Sequence, residues 1–429
     1  MTRAIEIECS TWVSWDVYGV QAQSMRTNGK SRTVLAEVAV NRAQPFERER
    51  MEELPVSDTP SQRVTSIDAL RGFDMFWIIG GEGIFRSLHT IFNHPTTVWI
   101  SKQLPHVKWE GFHFYDLIFA LFLFLAGAAL PFSISRRQER GESLGRLYVH
   151  IVKRTAVLIL LGLIYERLLE FKFAEMRWSA VLTMIGLSYF FAAIIILNTS
   201  IRMQAVLAAG LLLCYWAALS LISVQMTKDA TVVSFGAGDY TIQGNLISFL
   251  DQVLLPGKHP YGGVTLGVGP FLTITGAATV LIGSLAGRWM RSKRSGNRIV
   301  LGMVLAGVAS LFAGYIWGEF FPIIKLIWTS SFVLVACGWS LLLLALFYWV
   351  IDVGGHRKWA FFFIVIGMNP ITIYFLQEFV DFGRMSSFFL TGVSEHAGMI
   401  GPLILSFGVV MVKWLFLWFL YRHKMFFRV

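Results

Sequence analysis

Ten apolar runs, each about as long as a bilayer crossing, decide what this chain can fold into. They lie near residues 69–90, 115–135, 152–171, 179–198, 203–223, 268–287, 299–317, 328–351, 359–380 and 400–421. At 1.5 Å per helical residue, about 20 residues cross roughly 30 Å of hydrocarbon. Within that layer every backbone N–H and C=O must find its partner inside the protein, and a long apolar run does so as a helix. The expected fold is therefore all-α: a polytopic membrane helical bundle of about 10 transmembrane helices. Composition agrees, with 55% hydrophobic and only 15% charged residues, against about 25% charged in a soluble domain. This excludes a soluble enzyme, a disordered scaffold and a secreted disulfide-held domain.

Charge sets the expected orientation. Lys and Arg number 37 and Asp and Glu 27, a formal net charge of +10. In a soluble protein such an excess suggests nucleic acid; here it follows the rule that basic residues gather on cytoplasmic loops, and no nucleic-acid partner is expected. Arg136, Arg137, Arg140 and Arg146 follow the second run, Arg288, Arg291, Lys293 and Arg294 the sixth, and Arg422 and Lys424 the tenth. Every second loop being basic fits an even number of spans with both termini inside. Two long outer segments, 91–114 and 224–267, are rich in Gly, His, Pro and aromatics, and loops of such length are more often functional than idle. The three cysteines, Cys9, Cys214 and Cys337, form no CxxC pair. Neither a disulfide framework nor a metal site is expected.

Residues 1–62 differ from the remainder. They are polar, carry many Arg and Glu, and hold no apolar stretch of signal-peptide kind. Disorder, or an extension before a start at Met51, is the reading for this segment, with a single transmembrane domain over 63–429.

Charged groups inside spans are costly, about 2.5–3.5 kcal/mol each on insertion scales, so each needs a reason. The first span carries Arg71, Asp74, Glu82 and Arg86. Glu82 and Arg86 stand i,i+4 and read either as a structural ion pair or, with Gly80, Gly81 and Gly83 around the acid, as the lining of a polar cavity. In the outer segment PHVKWEGFHFYD, His106 is accompanied by Trp109, Glu110, His113 and Asp116. A histidine accepts a proton near neutral pH, and a neighbouring carboxylate orients its ring. Asn369, in GMNPITIYFLQE, sits between Gly367 and Pro370, which interrupt a helix; Glu378 lies further along that span. Interrupted helices at membrane depth line cavities or substrate paths, and a Pro kink bridged by the amide is the plainer alternative. No P-loop, GxSxG elbow or HExxH is present.

From about Ser66 to the C-terminus the chain resembles the heparan-α-glucosaminide N-acetyltransferase family and its bacterial relatives, often labelled a domain of unknown function. The matching pieces, in order, are SIDALRGFDMFW, HVKWEGFHFYDLIF with FLFLAGAALPFS, LIGSLAGRW, PIIKLIWTSS, VIDVGG, GMNPITIYFLQE and YRHKMF. The resemblance implies a membrane-embedded acyltransferase that moves an acetyl group from cytoplasmic acetyl-CoA to an amino sugar or cell-envelope glycan on the far side. It places the family's essential histidine at His106, sets Glu82 where an animal enzyme has asparagine, and matches Asn369 to a family motif. On that reading Trp109, Glu110, Asp116, Asn369 and Glu378 would meet the sugar. Arg71, Lys153, Arg154 and Arg288 would meet the nucleotide end of acetyl-CoA, as co-substrate.

The resemblance also implies a bacterial inner-membrane location among lipid, and a homodimer. Two departures stand out. Thr183 and Met184 replace a common Gln-Arg pair, and Leu266, Gly267, Val268 and Gly269 replace an Asp-Pro-Glu-Gly turn. An arginine and two carboxylates, groups suited to phosphates or an amine, are missing. The rival readings are a transporter for an amino sugar or peptidoglycan fragment, and a family member that has lost catalysis.

Overall fold

The computed structural model describes residues 64–427, apart from 179, 229–230 and 258–268. The expectation for residues 1–62 thus lies outside the described residues.

The chain opens with α1 (Thr65–Phe76), which passes through a wide turn at Trp77–Gly81 into α2 (Glu82–Ile91) and then α3 (Pro95–Gln103). Four long helices follow: α4 (Phe114–Glu139), α5 (Leu144–Tyr165), α6 (Val181–Asn198) and α7 (Ile201–Leu221). Strands β1 (Ser223–Lys228) and β2 (Thr231–Gly236) form an antiparallel hairpin with Ser223 opposite Gly236. After α8 (Leu246–Leu254) come α9 (Thr273–Met290), α10 (Gly296–Gly318) and α11 (Ser330–Phe347). The chain closes with α12 (Phe361–Gly367), α13 (Pro370–Leu376), α14 (Phe382–His396) and α15 (Gly401–Arg422).

Eight described helices are long and apolar enough to cross a membrane, two fewer than the ten expected crossings. The other two runs are present but broken. The first breaks at Gly80, whose φ of 131° is open to glycine and strained for other residues. The ninth breaks at Asn369, because Pro370 can begin a helix but cannot donate to the turn before it. The interruption beside Asn369 is the one expected from sequence, whereas the break at Gly80 in a run read as one span is not, and together they turn two spans into helix pairs. The 224–267 segment, read as an irregular loop, carries the hairpin and α8.

α4 and α9 are the most buried of the long helices, whereas α5, α7, α10 and α15 turn most of their surface outward. The core around them holds Leu121, Phe124, Leu281, Trp328, Phe332 and Leu344, each fully buried. Lipid is as apolar as leucine, so helices in a membrane gain most by close approach at small residues. That is how α4 and α9 pack: a Cβ at Gly127 would collide with the Val280 carbonyl, and one at Gly283 with the Phe124 carbonyl. α1 and α12 meet the same way, Gly72 against the Phe363 carbonyl and Gly367 against that of Asp68.

Candidate active site

The site grows from the N-terminus of α4. Asp116 is the third residue of that helix, where a carboxylate can answer the unpaired N–H groups of the first turn. Its Oδ2 accepts from the backbone N–H of His113 at 3.0 Å and of Val107 at 3.3 Å. The loop before the helix is thereby curled over the carboxylate. Oδ1 faces His106 Nδ1 at 2.8 Å and Lys325 Nζ at 3.3 Å. Asp116 is 1% exposed and the His106 side chain 53%, so a buried, fully bonded acid holds an accessible ring.

A carboxylate can only accept, so the Nδ1 proton of His106 goes to Asp116 and Nε2 keeps its lone pair. Lys325 Nζ is 2.9 Å from Nδ1 and 3.4 Å from Nε2. The ammonium thus stands within reach of both ring nitrogens. Burial pushes Lys325 down to about 8, against the pull of the Asp116 carboxylate in the other direction.

Lys325 comes from the segment between α10 and α11, more than 200 residues away in sequence. Backbone pairing brings it in. Glu110 and Ile324 form an antiparallel bridge, and the Gly111 N–H donates to the Ile323 carbonyl at 2.9 Å. Trp109 anchors the other side, its indole N–H donating to the Tyr240 carbonyl at 2.9 Å. Three distant stretches thus meet at one imidazole. On the far side of the ring, Tyr115 lies 5.0 Å from His106 between centroids, and its hydroxyl meets the Glu82 carboxylate. Glu82 also pairs with Arg86 at 3.5 Å. Glu82 is therefore joined to His106 through Tyr115, and of its two readings the ion pair with Arg86 is the one the structure shows.

Residues 63–167, which contain Glu82, His106, Tyr115 and Asp116, match a family described as a domain of unknown function (DUF5009). The chain is 24% identical over 366 residues to the heparan-alpha-glucosaminide N-acetyltransferase of Homo sapiens, covering 74% of this chain and 53% of that one. The Mus musculus protein of the same name is 23% identical over 380 residues, covering 77% and 57%. The family resemblance stands. This chain spans about half the length of the curated relatives it matches.

The other residues singled out by sequence lie apart. Asn369 is fully buried; its amide donates to the Met425 carbonyl at 3.1 Å and accepts from the Phe427 N–H at 3.1 Å. It holds the C-terminal tail to the helix break. Glu378 borders a separate cavity of about 360 Å³ with Gln377, Asp381 and Lys413. Arg71 turns to Asp68 at 3.3 Å, Arg154 lies 4.3 Å over the Tyr189 ring, Lys153 is exposed and Arg288 is half-buried. Of the departing positions, Met184 fills the main core and Gly269 precedes the turn into α9. Leu266, Gly267 and Val268 lie outside the described residues.

Lys325 and Tyr115 went unread. Lys325 stands in PIIKLIWTSS, a stretch that carried the resemblance, and a lysine alone among apolar residues between two spans was the available signal. Among the described residues no group of three His, Cys, Asp or Glu is arranged to hold a metal ion.

Proposed function

We propose that the chain is a membrane acyltransferase in which His106 Nε2 is the reacting nitrogen. The observation that carries this reading is the Asp116–His106 contact, a buried carboxylate fixing the tautomer of an accessible imidazole. The donor is acetyl-CoA and the acceptor the amine of an amino sugar or envelope glycan. A free amine attacks the thioester carbonyl; the N–C bond forms, the C–S bond breaks, and the amine proton passes to Nε2 and then to the departing thiolate. If the acyl group first rests on Nε2, the Nε2–C bond forms as the C–S bond breaks and the thiol leaves, and the amine then forms its N–C bond as the Nε2–C bond breaks. In either order Lys325 supplies positive charge beside the carbonyl oxygen as negative charge develops there. Asp116 stabilises the ring when it carries a proton.

The Homo sapiens and Mus musculus relatives are named as N-acetyltransferases of heparan α-glucosaminide, which supports the reaction class. We place the site at the outer face, from the alternation of basic loops, in a bacterial inner membrane, as the resemblance implies. The two broken spans favour a second reading, transport of an amino sugar. One pair of assays separates them: labelled acetyl-CoA with glucosamine and the purified protein in detergent, and glucosamine uptake into proteoliposomes. Label transferred by the wild type and lost in His106→Ala supports the transferase; uptake without transfer overturns it.

A further inference from the structure

The first helix break and the C-terminal end of α13 are joined by one side chain that the His106 site does not contain. Lys413 lies in the middle of α15, 8% exposed, among apolar residues. Its Nζ donates to the Ile79 carbonyl at 2.9 Å and to Gln377 Oε1 at 3.1 Å, and the Phe382 ring lies 5.7 Å from it. Ile79 immediately precedes Gly80, where the first span breaks. Gln377 ends α13, the second half of the other broken span. Both acceptors are uncharged, and Lys413 makes no ion pair among the described residues. A buried ammonium held only by neutral oxygens is costly, and an apolar side chain of the same size would be cheaper. Its retention needs a reason.

We infer that Lys413 is a positioning residue for the His106 site, a clamp that holds the first helix break against the C-terminal end of α13. The physical path is short. Glu82 opens α2 directly after the turn that Lys413 grips, its carboxylate meets the Tyr115 hydroxyl, and the Tyr115 ring lies against His106. Freed backbone at a helix break can turn several ways unless a partner satisfies it. Without the ammonium, the Ile79 carbonyl loses its side-chain donor, and the direction in which α2 leaves Gly80 is less firmly set. Gln377 loses its anchor by the same change. The role in turnover rests on His106 being the reacting group; the clamp itself does not.

The full chain in detergent provides the test. In Lys413→Met, hydrogen–deuterium exchange should rise together in peptides covering 77–83 and 376–380, while α5 and α6 stay protected. Transfer kcat should fall at least tenfold, with KM for acetyl-CoA within about twofold, and Lys413→Arg should recover part of the loss. Because Lys413 acts through Glu82, the double variant Lys413→Met/Glu82→Gln should be little worse than the more damaged single variant. Should Lys413→Met not fold, Gln377→Leu removes one of the two bonds and should raise exchange at 376–380. Unchanged exchange in both 77–83 and 376–380, or losses that multiply in the double variant, overturns the inference. A wild type without transferase activity overturns the reading of His106, and the exchange data still decide the clamp.

Discussion

His106 Nδ1 and Asp116 Oδ1 lie 2.8 Å apart, with the imidazole half exposed and the carboxylate sealed from solvent. The pair combines a rigid acid with a reachable base, and from this difference in burial the two residues should respond differently to mutation.

His106→Ala should abolish acyl transfer while leaving the fold intact. The ring is exposed, so its loss removes little packing, whereas a general base contributes about 10² to 10⁴ in rate. Turnover and melting temperature, measured on the same preparation, check this. Near wild-type turnover would sink the assignment.

Asp116→Asn should cost both activity and stability. It leaves the Lys325 ammonium buried beside a neutral amide, and breaking such a pair costs about 3–5 kcal/mol. Lys325→Met added to it should recover much of the stability and none of the activity. Thermal melts of the two single variants and the double variant give the coupling directly.

The depressed pKa of Lys325 has a signed consequence for stability. Burial lowers it from the ordinary 10.5 to about 8. Below pH 8 the lysine is charged whether folded or unfolded, and its contribution is flat. Between about 8 and 10.5 the unfolded chain holds a proton that the folded one has lost, so stability gains with rising pH. Other groups titrate too, so the measurable quantity is a difference. The wild-type melting temperature minus that of Lys325→Met should increase between pH 7.5 and pH 10, and a flat difference would show the lysine to be unperturbed.

Gly72→Ala should destabilise the crossing of α1 and α12. The added Cβ would strike the Phe363 backbone carbonyl, which has no flexible end to move aside. Overpacking of this kind costs about 1–3 kcal/mol. Gly145, which has open space around it, is the matched control, and alanine there should leave the melt unchanged.

Orientation is open to labelling. Lys102 and Arg140 are both exposed and fall on opposite sides in the proposed topology. A cysteine at Lys102 should react with an impermeant maleimide in intact cells, and one at Arg140 only after permeabilisation. The reverse pattern would move the whole site to the cytoplasmic face.

The long apolar runs made a helical membrane bundle legible because length and hydropathy act locally: each helix satisfies its own backbone. The Asn369–Pro370 pair marked where the ninth run is interrupted, since a missing N–H is a property of a single residue, whereas the break at Gly80 lay in a run read as continuous because a glycine only permits a positive φ. His106 and Asp116 could be paired from sequence because ten residues and a helix start separate them. Lys325 and Lys413 could not. Each is one lysine in an apolar stretch, and its meaning lies in a contact, with His106 or with Ile79, that spans more than 200 residues of chain. The backbone bridge between Glu110 and Ile324 brings the first to the imidazole, and the approach of α15 to the first helix break and the end of α13 brings the second to Ile79 and Gln377. The sequence by itself determined that the chain crosses a membrane as helices, that the ninth run is interrupted at Asn369–Pro370, and which histidine has carboxylates close by. Only the tertiary structure decided that the first run breaks at Gly80 and which distant cations meet that histidine and that break, because contacts between remote segments depend on helix packing, which no local pattern encodes.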